Sequence, residues 1–261
     1  MSQVYLITGA STGFGALSAR ALAKEGHTVF AGMYSHDGNT SKYEEEAVAF
    51  ARENNVDLYT VPLDLLSQES VDAAVKHILD TAGRVDVVVH NAGHMNYGPA
   101  ESFTAAHVAT HATRPVGGTS SGSEARRRPA AIVQLRGRID RWGIETTIVS
   151  PGVFTKGTNH FADAAKPGRP DIAQEYEDGP TKGLAEQTLT GTAALVPPDA
   201  DPRIVADTLV ELSRFPRGKK PFRMIPDPTM GGGEAFAAVV DNNRVNMYRR
   251  MGLLEYLAVQ L

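Results

Sequence analysis

Eight residues near the amino end, Thr8-Gly9-Ala10-Ser11-Thr12-Gly13-Phe14-Gly15, have the types and spacing to hold a phosphate. Glycines permit a tight turn, let backbone N–H groups approach a pyrophosphate and let a helix pack closely on a strand. The apolar run Val4-Tyr5-Leu6-Ile7 precedes the turn, and Ala16 to Lys24 after it reads as a helix. The turn therefore lies where a strand hands over to a helix N-terminus, whose dipole attracts anions. Ordinary glycine-rich strand-helix turns look similar, and it is this placement that favours the phosphate reading. A second cluster, His90-Asn91-Ala92-Gly93, closes the run Val85 to Val89, and a third, Ser150-Pro151-Gly152, closes Ile144 to Val149. Ligands of open parallel sheets bind at such carboxyl ends.

Those clusters need a scaffold, and the chain predicts one. Strands at Val4 to Ile7, His27 to Met33, Asp57 to Leu63 and Val85 to Val89 alternate with helices at Ala16 to Lys24, Lys42 to Asn54 and Ser70 to Ala82, with Ser67 as N-cap of the last. This rhythm predicts an α/β fold, a doubly wound parallel sheet with helices on both faces. It breaks at Arg114 to Ala131, which has no apolar period and is biased to Arg, Gly, Ser, Pro and Ala. A short helix at Ile132 to Trp142, the strand Ile144 to Val149, a Gly/Pro/Ala-rich stretch with helical pieces from Lys156, a helix at Asp201 to Arg214 with Pro202 in its first turn, a strand at Phe222 to Ile225 and a helix at Asn242 to Tyr256 complete the reading. We expect one domain over 1–261.

Composition narrows the partners. Hydrophobic residues at 42% suffice for a sizeable core, and a net charge of −4 gives no reason to expect nucleic acid or an anionic membrane. Without cysteine there is no disulfide framework, thiolate zinc site or cysteine nucleophile. The N-terminus reaches its glycine turn after too few apolar residues for a signal peptide, and no later apolar run could span a bilayer, so the expectation is a cytoplasmic protein. His107 and His111, and His90 and His94, have i,i+4 spacing but no third ligand nearby, so no metal is expected. Arg126-Arg127-Arg128 reads as a solvated loop.

Together, the glycine turn, His90-Asn91-Ala92-Gly93 and Pro151-Gly152-Val153-Phe154-Thr155 resemble the short-chain dehydrogenase/reductase family over residues 1 to about 103 and about 138 to 256. The resemblance implies a Rossmann-type domain that reduces a carbonyl or oxidises a secondary alcohol with NAD(P). It places Gly9, Ser11, Thr12, Gly13, Phe14 and Gly15 on the pyrophosphate, Asp64 on adenine, Asn91, Ala92 and Gly93 in support of the cofactor, and Pro151, Gly152, Val153 and Thr155 at the nicotinamide. At the end of the second strand an acid grips a ribose 2′-hydroxyl and a base accepts a 2′-phosphate. Met33-Tyr34-Ser35-His36 offers no acid there, and Ser35 and His36 can donate, so the reading leans to NADP over NAD.

The family's proton donor is a tyrosine tuned by a lysine one helical turn later. Four residues after Tyr5, Tyr34, Tyr43, Tyr59, Tyr97, Tyr176, Tyr248 and Tyr256 stand Gly9, Gly38, Ala47, Leu63, Glu101, Pro180, Gly252 and Gln260. None is lysine. Ser120 and Ser121 lack the apolar strand that would precede a substrate-positioning serine, and Tyr97 is the one tyrosine expected near the nicotinamide side. The span from Gly93 to Ile144 is also short by about a strand and a helix at ordinary element lengths. Its bias is what out-of-frame reading of a GC-rich gene tends to give. We therefore expect a lost or distorted fifth strand, no assignable catalytic residue and an oxidoreductase impaired as written. A non-catalytic nucleotide-binding module and a defective gene product stay open as alternatives, as does a homo-oligomer.

Overall fold

The computed structural model describes residues 2–34, 41–93, 95–104, 143–158 and 164–258. Strand β1 (Val4–Thr8) is buried along its whole length, as a central strand covered on both faces must be. It pairs in parallel with β2 (Thr28–Met33) on one side and β4 (Val87–Val89) on the other, and β3 (Leu58–Pro62) lies outside β2, giving the order β3-β2-β1-β4. The predicted parallel α/β sheet is therefore present. Helix α1 (Gly13–Lys24) begins three residues before the expected Ala16, so the glycine turn runs directly into its first turn. Between the strands lie α2 (Ser41–Asn54) and α3 (Gln68–Ala82). The Ser67 hydroxyl caps α3 by accepting from Ser70 N at 3.2 Å, and Gly83, at φ 73°, ends it.

The two faces of the sheet carry separate apolar layers. On one, Tyr5, Ile7, Val29, Ala31, Met33 and Leu58 meet Ala19 and Leu22 of α1 and Ala47 of α2, with Leu209 and Val210 packed against them. On the other, Val4, Leu6, Phe30 and Val61 meet Ala74 and Ile78 of α3. Phe30 stacks on Tyr59 at 5.2 Å between ring centres.

Strand four is shorter than its valine pattern, because Asp86 turns its carboxylate onto Val4 N at 2.8 Å and onto Arg84. Among the described residues the sheet ends at β4. The predicted strand at Ile144 reduces to β5 (Ile148–Val149), since Glu145 accepts from the N–H groups of Gly218 and Lys220 and pairs with the Lys220 ammonium at 3.2 Å. β5 pairs in parallel with β6 (Arg223–Met224) as a separate two-stranded sheet.

The Gly/Pro/Ala-rich stretch contains α4 (Pro170–Asp178) and α5 (Leu184–Leu195). Helix α6 (Arg203–Arg214) lies on α1, with Val205, Ala206 and Leu212 buried and Arg214 holding Glu25 at 2.7 and 2.9 Å. The last helix differs from expectation. Helix α7 is Gly233–Arg250, starting nine residues before Asn242, with Gly232 at φ 79° as its N-cap. Gly252, at φ 70°, then stops helical continuation, and Tyr256 falls in a 3-10 turn, Leu254–Leu257. The irregular segment 114–131 and the expected helix at 132–142 lie outside the described residues.

Candidate functional site

The carboxyl ends of β1 and β4 are fastened by one threonine and one asparagine. The buried Thr8 hydroxyl accepts from Asn91 N at 3.1 Å and Ala92 N at 3.0 Å, and donates to Val89 O at 3.4 Å. The Asn91 amide returns the contact, Nδ2 donating to Thr8 O at 3.0 Å and Gly9 O at 2.9 Å. The glycines are required by this closeness. Gly9 sits at φ 66°, and a Cβ there would stand 2.6 Å from Ala92 Cα. A Cβ on Gly15 would stand 2.4 Å from Gly9 O and 2.5 Å from Asn91 Nδ2. Gly13, at φ 56°, has room instead, its nearest neighbour being Thr158 Cβ at 3.8 Å.

Thr12 is the N-cap of α1 and makes no side-chain capping bond. The first-turn amides therefore receive nothing from the side chain of their cap residue, and the positive end of the helix dipole lies at the glycine turn. Beside them lies the loop after β5. Phe154 is buried and packs edge-on against Phe14, 5.4 Å between ring centres, while Val153 and Thr155 are half-buried to either side. Gly152 donates to Pro226 O at 3.1 Å, and a Cβ on it would stand 1.9 Å from Asp227 Oδ1. The Asp227 carboxylate accepts from Thr229 N, Thr229 Oγ1 and Gly231 N. Burial pushes its pKa up, and these hydrogen bonds outweigh burial and leave it below the usual carboxylate range.

Gly9, Ser11, Thr12, Gly13, Phe14, Gly15, Asn91, Ala92, Gly93 and the loop from Pro151 to Thr155 thus gather at one edge of the fold. Asp64 follows β3, and its carboxylate accepts from Leu66 N at 2.9 Å, a turn contact that occupies one oxygen. Ser35 and His36 lie outside the described residues, as do His94, His107, His111, Ser120, Ser121 and Arg126 to Arg128. Tyr97 lies in the segment that bridges to Ala165, and its hydroxyl donates to Ala185 O at 2.5 Å. That bond ties the phenol to α5. The sequence reading missed the Thr8 hydroxyl and the Asp227 turn. Asp227-Pro228-Thr229 before three glycines was a readable Asx-turn signal for the second. Among the described residues no group of three or more His, Cys, Asp or Glu side chains could hold a metal, and no helix is long and apolar enough to cross a membrane.

The family model described as short chain dehydrogenase matches residues 3–124. An uncharacterized oxidoreductase of Staphylococcus haemolyticus is 39% identical over 94 residues, 36% of this chain and 37% of that relative. The chain thus aligns with little more than a third of that relative's length. Solved structures match more of it. A short-chain dehydrogenase from Streptomyces avermitilis superimposes with a TM-score of 0.66 at 22% identity, over 97% of this chain and 98% of that one. An alcohol dehydrogenase from the archaeon Thermococcus sibiricus, complexed with 5-hydroxy-NADP, gives 0.60 at 21% identity over 86% and 96%. The fold of the chain is the Rossmann-like fold of these dehydrogenases.

Proposed function

We propose that the chain is of short-chain dehydrogenase/reductase lineage and holds a nicotinamide dinucleotide, NADP in preference to NAD, at the edge built by the ends of β1, β4 and β5. The observation that carries this reading is the glycine cradle. Gly9 and Gly15 let the turn close against Ala92 and Asn91 where a Cβ would clash, Gly13 keeps open space at the start of α1, and Asn91 and Thr8 fix the turn beside that uncapped helix start. In this reading Gly9, Ser11, Thr12, Gly13, Phe14 and Gly15 hold the pyrophosphate, Asp64 reaches adenine through its second oxygen, and Asn91, Ala92 and Gly93 line the floor. Pro151, Gly152, Val153 and Thr155 orient the nicotinamide ring, with Phe154 anchoring their loop on Phe14. Ser35 would take the 2′-phosphate.

A bound nicotinamide supplies or accepts hydride. The chain must supply the proton donor, and no tyrosine in it has a lysine four residues on. The bond from Tyr97 to Ala185 O supports its exclusion from that role. A positioned acid contributes roughly 10² to 10⁴ in rate, so the chain binds its cofactor and turns over carbonyl and alcohol substrates poorly or not at all. Any substrate of this lineage is a small carbonyl compound or secondary alcohol.

Fluorescence titration with NADPH and NADH tests the binding reading. We expect saturable enhancement, tighter for NADPH, that Gly13→Asp abolishes by setting a carboxylate against the phosphates. Equal binding by both proteins would overturn the site. Steady-state reduction of ketones or aldehydes at ordinary enzymatic rates would overturn the impairment alone.

A further inference from the structure

The glycine cradle has no cation of its own. Thr8 to Gly15 contains no charged side chain, and neither do Asn91 to Gly93 or Pro151 to Thr155, while Asp64 adds a negative one. A dinucleotide pyrophosphate is negative on both phosphates, and a helix N-terminus offsets only about half an elementary charge. The loop after β5 continues past Thr155 and brings a lysine to the same place. It is fastened on both sides of Lys156. Phe154, two residues before, is buried with its ring centre 5.4 Å from that of Phe14. Thr158, two residues after, is the nearest side chain to Gly13, its Cβ 3.8 Å and its methyl carbon 4.0 Å from where a Gly13 Cβ would stand. Gly157, at φ 73°, makes the bend between them. A Cβ there would stand 2.7 Å from Pro202 Cγ, so the loop also rests on the start of α6. Two residues of chain span at most about 7 Å, so the Lys156 backbone is held that close to two residues seated on the first turn of α1, and a lysine's flexible stem covers most of that distance. Lys156 is exposed and has no ion pair among the described residues.

We propose that Lys156 is the cation that neutralises the dinucleotide pyrophosphate, kept at the glycine turn by the contacts of Phe154 and Thr158. This rests on the cradle being a dinucleotide site and adds the residue that gives the site its charge. An ammonium is a compact point charge with rotatable donors, suited to a bridge whose oxygens present themselves on several sides. The apolar faces of Phe154 and Thr158 flank it and lower the local dielectric, which strengthens an ion pair formed there. Because pyrophosphate is common to NADH and NADPH, Lys156 raises the affinity for both alike and leaves the choice between them to the end of β2.

Amine acetylation by an N-hydroxysuccinimide ester, read residue by residue by mass spectrometry, tests this on the unaltered chain. Saturating NADPH or NADH should slow modification of Lys156 severalfold, while Lys24, at the far end of α1 and about 18 Å along it, keeps its rate. In fluorescence titrations Lys156→Ala should weaken both dinucleotides by the same factor, roughly tenfold, and should make affinity less sensitive to salt. Lys156→Arg, which keeps the charge, should retain most of the parent affinity. An unchanged urea midpoint shows that the alanine variant is folded. Dinucleotide binding that leaves Lys156 labelled at its free rate overturns the proposal and leaves the cradle standing. So does a loss on Lys156→Ala confined to NADPH, because the charge would then serve the 2′-phosphate. If neither dinucleotide binds the parent chain, the cradle reading falls and this one with it.

Discussion

Replacing Gly15 by alanine should reverse the sign that helix propensity alone gives. Gly15 lies in the first turn of α1, where alanine ordinarily gains up to about 1 kcal/mol over glycine. Here the new methyl group would stand 2.4 Å from Gly9 O, 2.5 Å from Asn91 Nδ2 and 2.9 Å from Ala10 Cα. Two of those neighbours are backbone, and the third is pinned by hydrogen bonds of 2.9 and 3.0 Å. Relief therefore requires α1 to move off the turn or Asn91 to release its two acceptors. Overpacking of this kind costs about 1–3 kcal/mol, and each surrendered hydrogen bond about 1 kcal/mol. The net expectation is a loss of roughly 2 kcal/mol with weakened dinucleotide binding. Gly191 in α5 is the matched control, because a Cβ there meets nothing within 4 Å. Gly191→Ala should stabilise by about 0.5–1 kcal/mol. Urea unfolding followed by far-UV circular dichroism measures both. If Gly15→Ala matched or exceeded the parent midpoint, the packing of the turn as described would be wrong.

Thr8→Val keeps the shape of the side chain and removes the oxygen that accepts from Asn91 N and Ala92 N. We expect a loss of about 2 kcal/mol in urea unfolding, with Thr8→Ser close to the parent. Burial lowers the pKa of His27, whose Nδ1 accepts from Gln3 N at 3.2 Å. With the folded value below the unfolded one, the unfolded state binds more protons as pH falls, so stability present above the unfolded pKa of about 6.5 is lost through the folded pKa. His27→Asn, which retains an acceptor near Nδ1, should show a smaller drop in urea midpoint between pH 7.5 and 5.5 than the parent; parallel profiles would count against the assignment. Gly152→Ala drives a methyl group into the Asp227 carboxylate, at 1.9 Å, and should cost about 1–3 kcal/mol. Thermal unfolding reads it, and an unchanged midpoint would mean that the Asp227 turn yields freely.

The parts legible in the sequence were those that local rules govern. Short apolar runs alternating with helical stretches located the four strands of the main sheet, and Ser67 announced α3 through a cap written within four residues. What escaped the reading depends on partners far along the chain. Asp86 shortens β4 because Val4 N, 82 residues away, is within its reach. Glu145 ends a strand pattern by gathering the turn at Gly218, 73 residues later. The Thr8 hydroxyl acquires its role only once β4 brings Asn91 beside it, and threonine at a strand end has many ordinary uses. Helix α7 was misplaced because Gly231-Gly232-Gly233 signals loop by propensity, yet left-handed Gly232 starts a helix.

The position of α6 on α1 gives the chain an order of assembly. The glycine turn and the strand end that clasps it both come from the first 92 residues and could close early in synthesis. The apolar layer beneath it is finished only by Leu209 and Val210, and the clasp from Arg214 to Glu25 joins residues 189 apart. At about 5–20 residues per second, translation leaves that face of the nascent chain open for roughly 10 to 40 s. During that wait the emerging half displays hydrophobic surface to whatever surrounds the ribosome. Its safe delivery therefore depends on holdase protection or on the speed with which residues 203–214 arrive.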